Sequence, residues 1–230
     1  MMPPMTASAD TPQGQADTVA RIEYGWLEAA VQSCAPEIAQ LTLEIWFRPD
    51  HVADGQTLIA LGLPQSRILL GLNNGQYRFG STHTYVSAPI EAPTLQGWQF
   101  VAATCDGKQM RLWPGGKPSD QPGSVKNIGG RIAMGRTVGL GAAPLPRNRA
   151  QHPYTGAMAR ARIWSQARNA TDIQQDRDAQ QAQSSDALLA DWPMNEGSGN
   201  VIHNLAANKA LGDAQRKGPY NAGYRSGAPK

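Results

Sequence analysis

An arginine-rich segment without acidic residues is the part of this 230-residue chain best suited to chemistry. Between residues 121 and 171 there is no Asp or Glu, and seven of the eight basic residues are Arg. They are Lys126, Arg131, Arg136, Arg147, Arg149, Arg160, Arg162 and Arg168. The planar guanidinium group matches the geometry of sulfate, phosphate and carboxylate, so the segment predicts recognition of an anion. An equally weighted alternative is a solvated face whose charge is balanced by acids elsewhere, such as Asp172, Asp176 and Asp178.

Residues 157–164 form the most regular alternating pattern within that segment. Strand geometry would place Arg160, Arg162 and Trp164 on one face with Met158, and three alanines and an isoleucine on the other. An aromatic ring beside two guanidinium groups would form a platform for an acidic sugar. We therefore predict Arg160, Arg162, Trp164 and Arg136 as ligand-binding residues. The alternative is that Trp164 packs under a polar helix and the arginines pair with the acids of that helix.

Composition and turn signals favour an all-β fold. The chain has 24 Gly and 17 Pro, and only 17% of its residues are charged. Its net charge of +3 does not by itself indicate nucleic-acid binding, and no apolar run approaches the roughly 20 residues of a membrane-spanning helix. Residues 1–20 lack the pattern of a secretory signal. Cys34 and Cys105 match no metal-binding spacing and are either one disulfide or two buried thiols.

Alternating apolar residues predict a series of short strands. The predicted strands span residues 22–31, 41–47, 56–61, 67–72, 76–80, 84–90, 97–104, 109–113, 132–135, 157–164 and 188–192. The pairs Asn74-Gly75 and Asp106-Gly107 predict hairpin turns. Thr171, with Gln174 three residues on, predicts the capped start of a short surface helix over residues 172–183. Residues 1–20 are predicted as an arm, 21–205 as the domain and 206–230 as a weakly structured tail.

Five blocks of sequence carry a resemblance to a known family. They are LTLEIWFRPD, GQTLIALG, GWQFVAATCDGKQMRLW, YTGAMARARIWSQARNATDI and LLADWPMNEGSG. In this order and spacing, over roughly residues 41–200, the chain resembles laminin-G-like jelly-roll domains of the concanavalin-A-like lectin and glucanase superfamily. The resemblance implies a two-sheet antiparallel β-sandwich with one short surface helix. It also implies an extracellular, cell-surface or virion-associated location.

The chain departs from the family pattern where acidic residues are common in relatives. Pro114, Gly115 and Gly116 replace an Asp-containing turn, residues 158–160 replace an Ile-Asp-Glu run, and residues 22–26 replace an Asp-rich opening. Calcium needs hard oxygen ligands, commonly carboxylates, so these departures argue against a calcium site. No cofactor is expected.

The carboxylates that glycoside cleavage requires do not form a recognisable pattern. Glucanases of this superfamily resemble one another in a strand with two Glu and one Asp at alternate positions. Here Glu44 is the only acid in its strand, and Glu91, Asp106 and Glu196 lie in turns or near strand ends. We therefore predict that the chain is not an enzyme.

The histidines do not suggest catalysis either. His51, His83, His152 and His203 are scattered in loop-like contexts typical of surface residues. A polysaccharide lyase would need a base and a neutralising Arg, for which Tyr85, His83 and Arg160 would have to converge. No spacing supports that convergence.

These observations predict a non-catalytic glycan-binding module with a preference for anionic polysaccharide. The alternative is a structural, adhesion or assembly subunit that uses its two tails for contacts with other proteins or with itself. A divergent polysaccharide-cleaving enzyme is the third hypothesis. No specific nucleic-acid partner and no membrane span are expected.

Overall fold

Two large antiparallel sheets pack face to face and enclose the main hydrophobic core. The computed structural model describes residues 19–23, 25–81, 83–90, 97–118, 125–127, 130–179 and 182–218. The predicted arm up to residue 18, the end of the predicted tail from residue 219, and Glu91 lie outside the described residues. The architecture confirms the predicted all-β sandwich with one short helix.

The first sheet has seven strands in the order β1-β16-β4-β9-β10-β11, and β17 also pairs with β16. Its strands are β1 (Ala20–Ile22), β4 (Leu41–Pro49), β9 (Gln99–Cys105), β10 (Gln109–Pro114), β11 (Val125–Asn127), β16 (Gly156–Trp164) and β17 (Leu188–Trp192). The central strands β4, β9 and β16 are almost wholly buried on both faces. The second, smaller core covers the outer face of this sheet and includes Trp46, Phe100, Trp113 and Ile173.

The second sheet has eight strands in the order β18-β19-β2-β13-β5-β6-β7-β8. Its strands are β2 (Trp26–Val31), β5 (Gln56–Leu61), β6 (Ile68–Asn73), β7 (Gln76–Gly80), β8 (Tyr85–Pro89), β13 (Thr137–Leu140), β18 (Val201–Ile202) and β19 (Leu211–Lys217). Leu70 and Phe79 from this sheet meet Leu43, Ile45 and Phe47 of β4 in the core. The predicted turn between β6 and β7 is confirmed, because Asn74 and Gly75 have φ of 49° and 71°.

The remaining strands form two small two-stranded sheets. β3 (Glu37–Ile38) pairs with β12 (Ile132–Ala133), and β14 (Ala143–Leu145) pairs with β15 (Arg149–Gln151). The sequence did not predict β3, β11, β13, β14, β15, β18 or β19. Most of these strands have only two to four residues, too few to show a period.

The helix α1 (Ala170–Asp178) begins earlier than predicted, because Asn169 rather than Thr171 caps it. The Asn169 side chain accepts a hydrogen bond from the Asp172 N–H, and the Asp172 carboxylate accepts one from the Asn169 N–H. This reciprocal pair is the capping box that the sequence placed two residues too late.

The prediction of a weakly structured tail from residue 206 is wrong for residues 206–218, which the structure describes. β19 pairs with β2 along its length, with Leu211 opposite Val31 and Lys217 opposite Trp26. Its short sequence contains Gly, Asp, Gln, Arg and Lys, so no apolar alternation marked it as a strand. β19 is therefore a strand of the eight-stranded sheet because it pairs with β2.

Cys34 and Cys105 are free thiols in the structure. Cys105 is buried in the core between the sheets, and Cys34 packs against the same core. Burial raises the pKa of both thiols. Of the two alternatives that the sequence allowed, the structure has the unpaired thiols.

Candidate functional site

The predicted platform of Arg160, Arg162 and Trp164 is not at the surface. These side chains lie on the outer face of the seven-stranded sheet, and only 3%, 0% and 0% of their respective areas are exposed. Helix α1 and the segment leading to β17 cover them. The prediction of an exposed ligand platform is therefore wrong. The alternative is correct in part: the arginines are buried in ion pairs, but Arg160 and Arg162 pair with Asp191 of β17. Only Arg168 pairs with the helix acids Asp172 and Asp176.

A bulge in β16 changes which side chains share a face. Met158 is opposite Phe47 in β4 and Arg160 is opposite Trp46, so Ala159 is an extra residue in the register. Met158 consequently packs in the core between the sheets. Ala159 joins Arg160 on the outer face, where it packs in the second core. The strict alternation expected from the sequence does not hold across this bulge.

Hydrogen bonds satisfy the two buried guanidinium groups. Asp191 Oδ1 accepts from Arg160 Nε at 2.8 Å and from Arg162 Nε at 3.3 Å. Arg162 also donates to the main-chain oxygens of Asp176, at 2.6 Å, and Ala179, at 3.1 Å. Arg162 therefore ties α1 to the sheet and has a structural role.

Arg136 is distant in the fold from those three residues. It is exposed and directly precedes β13 of the other sheet, where its main-chain oxygen accepts a hydrogen bond from the Val31 N–H. The structure brings Arg160, Arg162 and Trp164 together but does not add Arg136 to them.

A groove on the outer face of the eight-stranded sheet is the better candidate site. It encloses about 230 Å³ and is lined in part by Thr57, Leu69, Gly71, Arg78, Ser81 and His152. We call it the His152 groove. Thr57, Gly71 and Arg78 are neighbours across strands β5, β6 and β7, so the side chains of Thr57 and Arg78 point to the same face on either side of Gly71.

Gly71 keeps the floor of the His152 groove low between Thr57 and Arg78. A Cβ atom at Gly71 would lie 2.3 Å from the main-chain oxygen of Gln56. No other residue fits at this position without moving the backbone of β5. Because it has no side chain, Gly71 lets the main chain of β5 lie close to β6 in the groove lining.

His152 forms one wall because the chain there adopts a left-handed conformation. Its φ is 56°, which is uncommon for a residue other than Gly, and its main-chain oxygen accepts a hydrogen bond from the Thr57 N–H at 2.9 Å. The ring comes within 3.1 Å of the position that a Cβ atom of Gly55 would occupy. Strained residues of this kind occur often at binding sites.

The hairpin of β14 and β15 leads directly into His152 and is fixed to the sheet. Pro144 lies against Gly139 of β13, where a Cβ atom would be 2.3 Å from the proline ring. The Arg67 guanidinium donates a hydrogen bond to the Pro144 main-chain oxygen. At the turn, Arg147 and Asn148 have φ of 64° and 53°, as a tight hairpin requires. The hairpin therefore holds His152 on a rigid support.

An aromatic ring lies next to the groove at Arg78. The Arg78 guanidinium carbon is 3.7 Å from the centroid of the Tyr85 ring, and 43% of Tyr85 is exposed. Tyr85 in β8 is paired with Gly80 of β7, where a Cβ atom would lie 2.7 Å from the Tyr85 Cα. The pair combines an exposed ring with a cation that also lines the groove.

A second, larger groove of about 440 Å³ crosses the other end of the same sheet. Glu28, Lys209, Asp213 and Lys217 give it mixed charge, and no aromatic side chain is among its described lining residues. Burial acts to raise the pKa of Asp213, but hydrogen bonds from the Asn204 N–H and His203 hold it below its ordinary value. Its acids and lack of a ring make it a weaker match for an acidic sugar.

Residues proposed for cleavage chemistry do not meet. Tyr85 is in the eight-stranded sheet, whereas Arg160 is buried on the outer face of the seven-stranded sheet, so these two residues do not converge. In the described ranges, no group of three or more His, Cys, Asp or Glu residues is arranged to hold a metal ion. No described helix is long and apolar enough to cross a membrane.

The sequence missed Arg78, Tyr85 and His152 as a group. The sequence presents His152 as one of four scattered surface histidines, and it does not predict the hairpin that supports it. The only sequence signal was His152 itself, at the end of a Pro-, Gly- and Arg-rich segment. Its proximity to Arg78 depends on the pairing of β5, β6 and β7.

Solved structures with the same fold have low sequence identity to this chain. A predicted carbohydrate-binding protein from Bacteroides ovatus has a TM-score of 0.65 and 15% identity over 93% of this chain, which spans 62% of that protein. A heptameric pentraxin from Limulus polyphemus has a TM-score of 0.52 and 17% identity, covering 69% of this chain and 80% of its own. Domains LG4-5 of mouse laminin α1 have a TM-score of 0.51 and 13% identity, and the match covers 66% of this chain and 44% of the laminin chain.

A search of curated protein sequences found no match. The model of one family, however, matches residues 24–174, which is more than half of the chain. That match agrees with the jelly-roll sandwich, its sheet order and the structural similarities. The chain therefore belongs to the concanavalin A-like lectin/glucanases superfamily.

Proposed function

We propose that the chain is a non-catalytic glycan-binding module and that the His152 groove binds a segment of anionic polysaccharide. The observation that carries the proposal is the Arg78–Tyr85 pair beside the groove. Sugar sites combine apolar and aromatic surface with a few fixed polar groups. Tyr85 and Leu69 supply the apolar part, and Thr57, Ser81 and His152 supply the polar part.

The charge near the groove favours an anionic sugar. Arg78 lines it, and the adjoining hairpin carries the exposed Arg147 and Arg149 from the acid-free segment. No Asp or Glu is among the described lining residues. A uronate or sulfate group would gain a charge-assisted hydrogen bond from a guanidinium here.

The same lining supports the non-catalytic part of the proposal. Glycoside cleavage in most families uses two carboxyl groups that flank the scissile bond. Among the described residues, the groove offers none. An outside location, as the superfamily resemblance implies, would bring the groove into contact with cell-surface or matrix polysaccharides.

The proposal can be tested by titration calorimetry with polygalacturonate, chondroitin sulfate and neutral dextran at 50 mM and 500 mM NaCl. We expect binding to the acidic polymers that weakens with salt, and about a tenfold loss of affinity in Arg78→Gln. Arg136→Gln is the matched control, because Arg136 is exposed outside the groove lining. Binding to dextran alone would overturn the anionic preference, and no binding to any polymer would overturn the module itself.

A second candidate is a role in assembly through the two tails. Arg216 Nη1 donates to the Arg21 main-chain oxygen at 3.2 Å, so the two ends of the described fold lie side by side. Contacts made by both tails would then act at one edge of the sandwich. Light scattering on the full chain and on residues 19–218 tests this, because the same number of subunits per particle for both chains at every concentration would contradict it.

A further inference from the structure

Helix α1 is attached to the seven-stranded sheet by a buried polar cluster that the proposed glycan site does not use. We call it the Glu44 cluster, and it comprises Glu44, Arg162, Trp164, Arg168 and Asp176. Asp176 lies on α1, and its carboxylate accepts a hydrogen bond from Arg168 Nε at 2.8 Å. Glu44, on β4, is fully buried and accepts from the Trp164 indole N–H at 3.2 Å through Oε2.

The second carboxyl oxygen of Glu44 has no hydrogen-bond donor among the described residues. The group within hydrogen-bonding reach is the carboxyl group of Asp176. Two ionised carboxylates can only accept, so this contact requires a proton on one of them. With that proton, Glu44 Oε1 donates to Asp176 and the buried oxygen is satisfied.

The charged groups around the cluster come from four elements. The acids around the cluster are Glu44 on β4, Asp172 and Asp176 on α1, and Asp191 on β17, and the bases are Arg160 and Arg162 on β16 and Arg168 before α1. If all were ionised, four carboxylates would face three guanidinium groups. Because 30% of the Asp172 side chain is exposed, the buried groups are three carboxyl and three guanidinium groups, and it is the burial of Glu44 that favours its neutral form.

We infer that a proton held between Glu44 and Asp176 fastens α1 to the seven-stranded sheet, so that α1 opens more readily as the pH rises. Opening would expose Trp46, Trp164 and the buried arginines beneath the helix. The fold therefore contains a pH-sensitive cover on the sheet opposite to the one that bears the His152 groove.

The direction follows from the protonation states. Burial, reinforced by the negative charge of Asp176, raises the pKa of Glu44 from 4.5 to about 8. The closed form keeps its proton up to that pH, whereas an exposed Glu44 loses it above about 4.5. Between these values the equilibrium constant for opening rises by up to about tenfold per pH unit, and it levels off on either side.

Hydrogen exchange of the full chain between pH 5 and 9 tests this inference. After correction for the intrinsic exchange rate, we expect opening of residues 170–178 to increase at least about tenfold between pH 5.5 and 8. Glu44→Gln should remove this increase, because its amide donates to Asp176 and its oxygen still accepts from Trp164. Asp178→Asn, an exposed change in the same helix, should keep it.

An increase that is absent from the wild-type chain, or that persists in Glu44→Gln, would overturn the inference. Carbon-13 titration of the Glu44 carboxyl group in the wild-type chain provides a test that does not depend on any variant folding. A titration midpoint near 8 supports a proton held between Glu44 and Asp176, and a midpoint near 4.5 contradicts it.

Discussion

The central carbon of the Arg78 guanidinium lies 3.7 Å from the centroid of the Tyr85 ring. The two side chains are diagonal neighbours on adjacent strands, since Tyr85 is opposite Gly80 and Arg78 precedes Gly80 by two residues. The pair therefore places an exposed aromatic ring and a cation side by side at the edge of the His152 groove.

Tyr85→Ala should lower the affinity for the acidic polysaccharide about tenfold, because one stacked ring beside a cation contributes roughly 1 kcal/mol or more. Tyr85→Phe keeps the ring and should bind within about twofold of the wild-type chain. Titration calorimetry measures both. Equal affinity of Tyr85→Ala and the wild-type chain would exclude the ring from the site.

Arg162→Met should lower the free energy of unfolding by about 3–5 kcal/mol, because it leaves buried acceptors without their donor. The acceptors are Asp191 and the main-chain oxygens of Asp176 and Ala179. Arg136→Met, an exposed change, should stay within about 0.5 kcal/mol of wild type. Urea denaturation measures both variants. A stable Arg162→Met chain that loses glycan binding would restore Arg162 as a ligand contact.

The architecture could be predicted because strong local signals coincide with strands that pair locally. β5, β7 and β17 have the predicted bounds, and the Asp106-Gly107 turn forms as expected, with the Asp106 carboxylate accepting from the N–H groups of Lys108 and Gln109. A short apolar strand and a turn dipeptide each carry their structural preference within a few residues.

The site could not be predicted because burial is decided by distant partners. An Arg-Trp alternation is compatible with a surface platform or with a buried ion-pair layer. The choice depends on α1, whose Asp176 is fourteen residues from Arg162, and on Asp191, at 29 residues. The bulge at Ala159 also depends on the pairing of β16 with β4. None of these relationships is visible in residues 157–164 alone.

Gly80→Ala should destabilise the chain by about 3 kcal/mol or more. Gly80 has φ of 136°, and a Cβ atom would lie 2.3 Å from the Thr84 main-chain oxygen. Gly75→Ala is the matched control, because Gly75 also has positive φ but has nothing within 4 Å of its Cβ position. We expect it to cost only about 1 kcal/mol. Thermal unfolding of both variants separates the two effects, because Gly80→Ala adds a clash and Gly75→Ala changes only the preferred backbone conformation. Equal losses of stability in the two variants would exclude the clash.

A chain that ends at residue 205 should fail to fold, whereas one that ends at residue 218 should unfold at the wild-type temperature. The shorter chain lacks β19, which contributes the buried Leu211 and Ala214 and covers the edge of β2. It also removes the main-chain oxygen of Gly212, which accepts from the buried Trp192 indole N–H at 3.2 Å.

These losses are large compared with the stability of a typical domain. Exposing the surface that Leu211 buries costs about 2 kcal/mol, and an unsatisfied buried N–H costs about 1–3 kcal/mol more. Natural domains have only about 5–15 kcal/mol to lose, and seven residues of paired backbone disappear as well. Circular dichroism during heating distinguishes the two chains. A cooperative transition at the wild-type temperature in the shorter chain would mean that β19 is dispensable and that the domain ends where the sequence first placed its boundary.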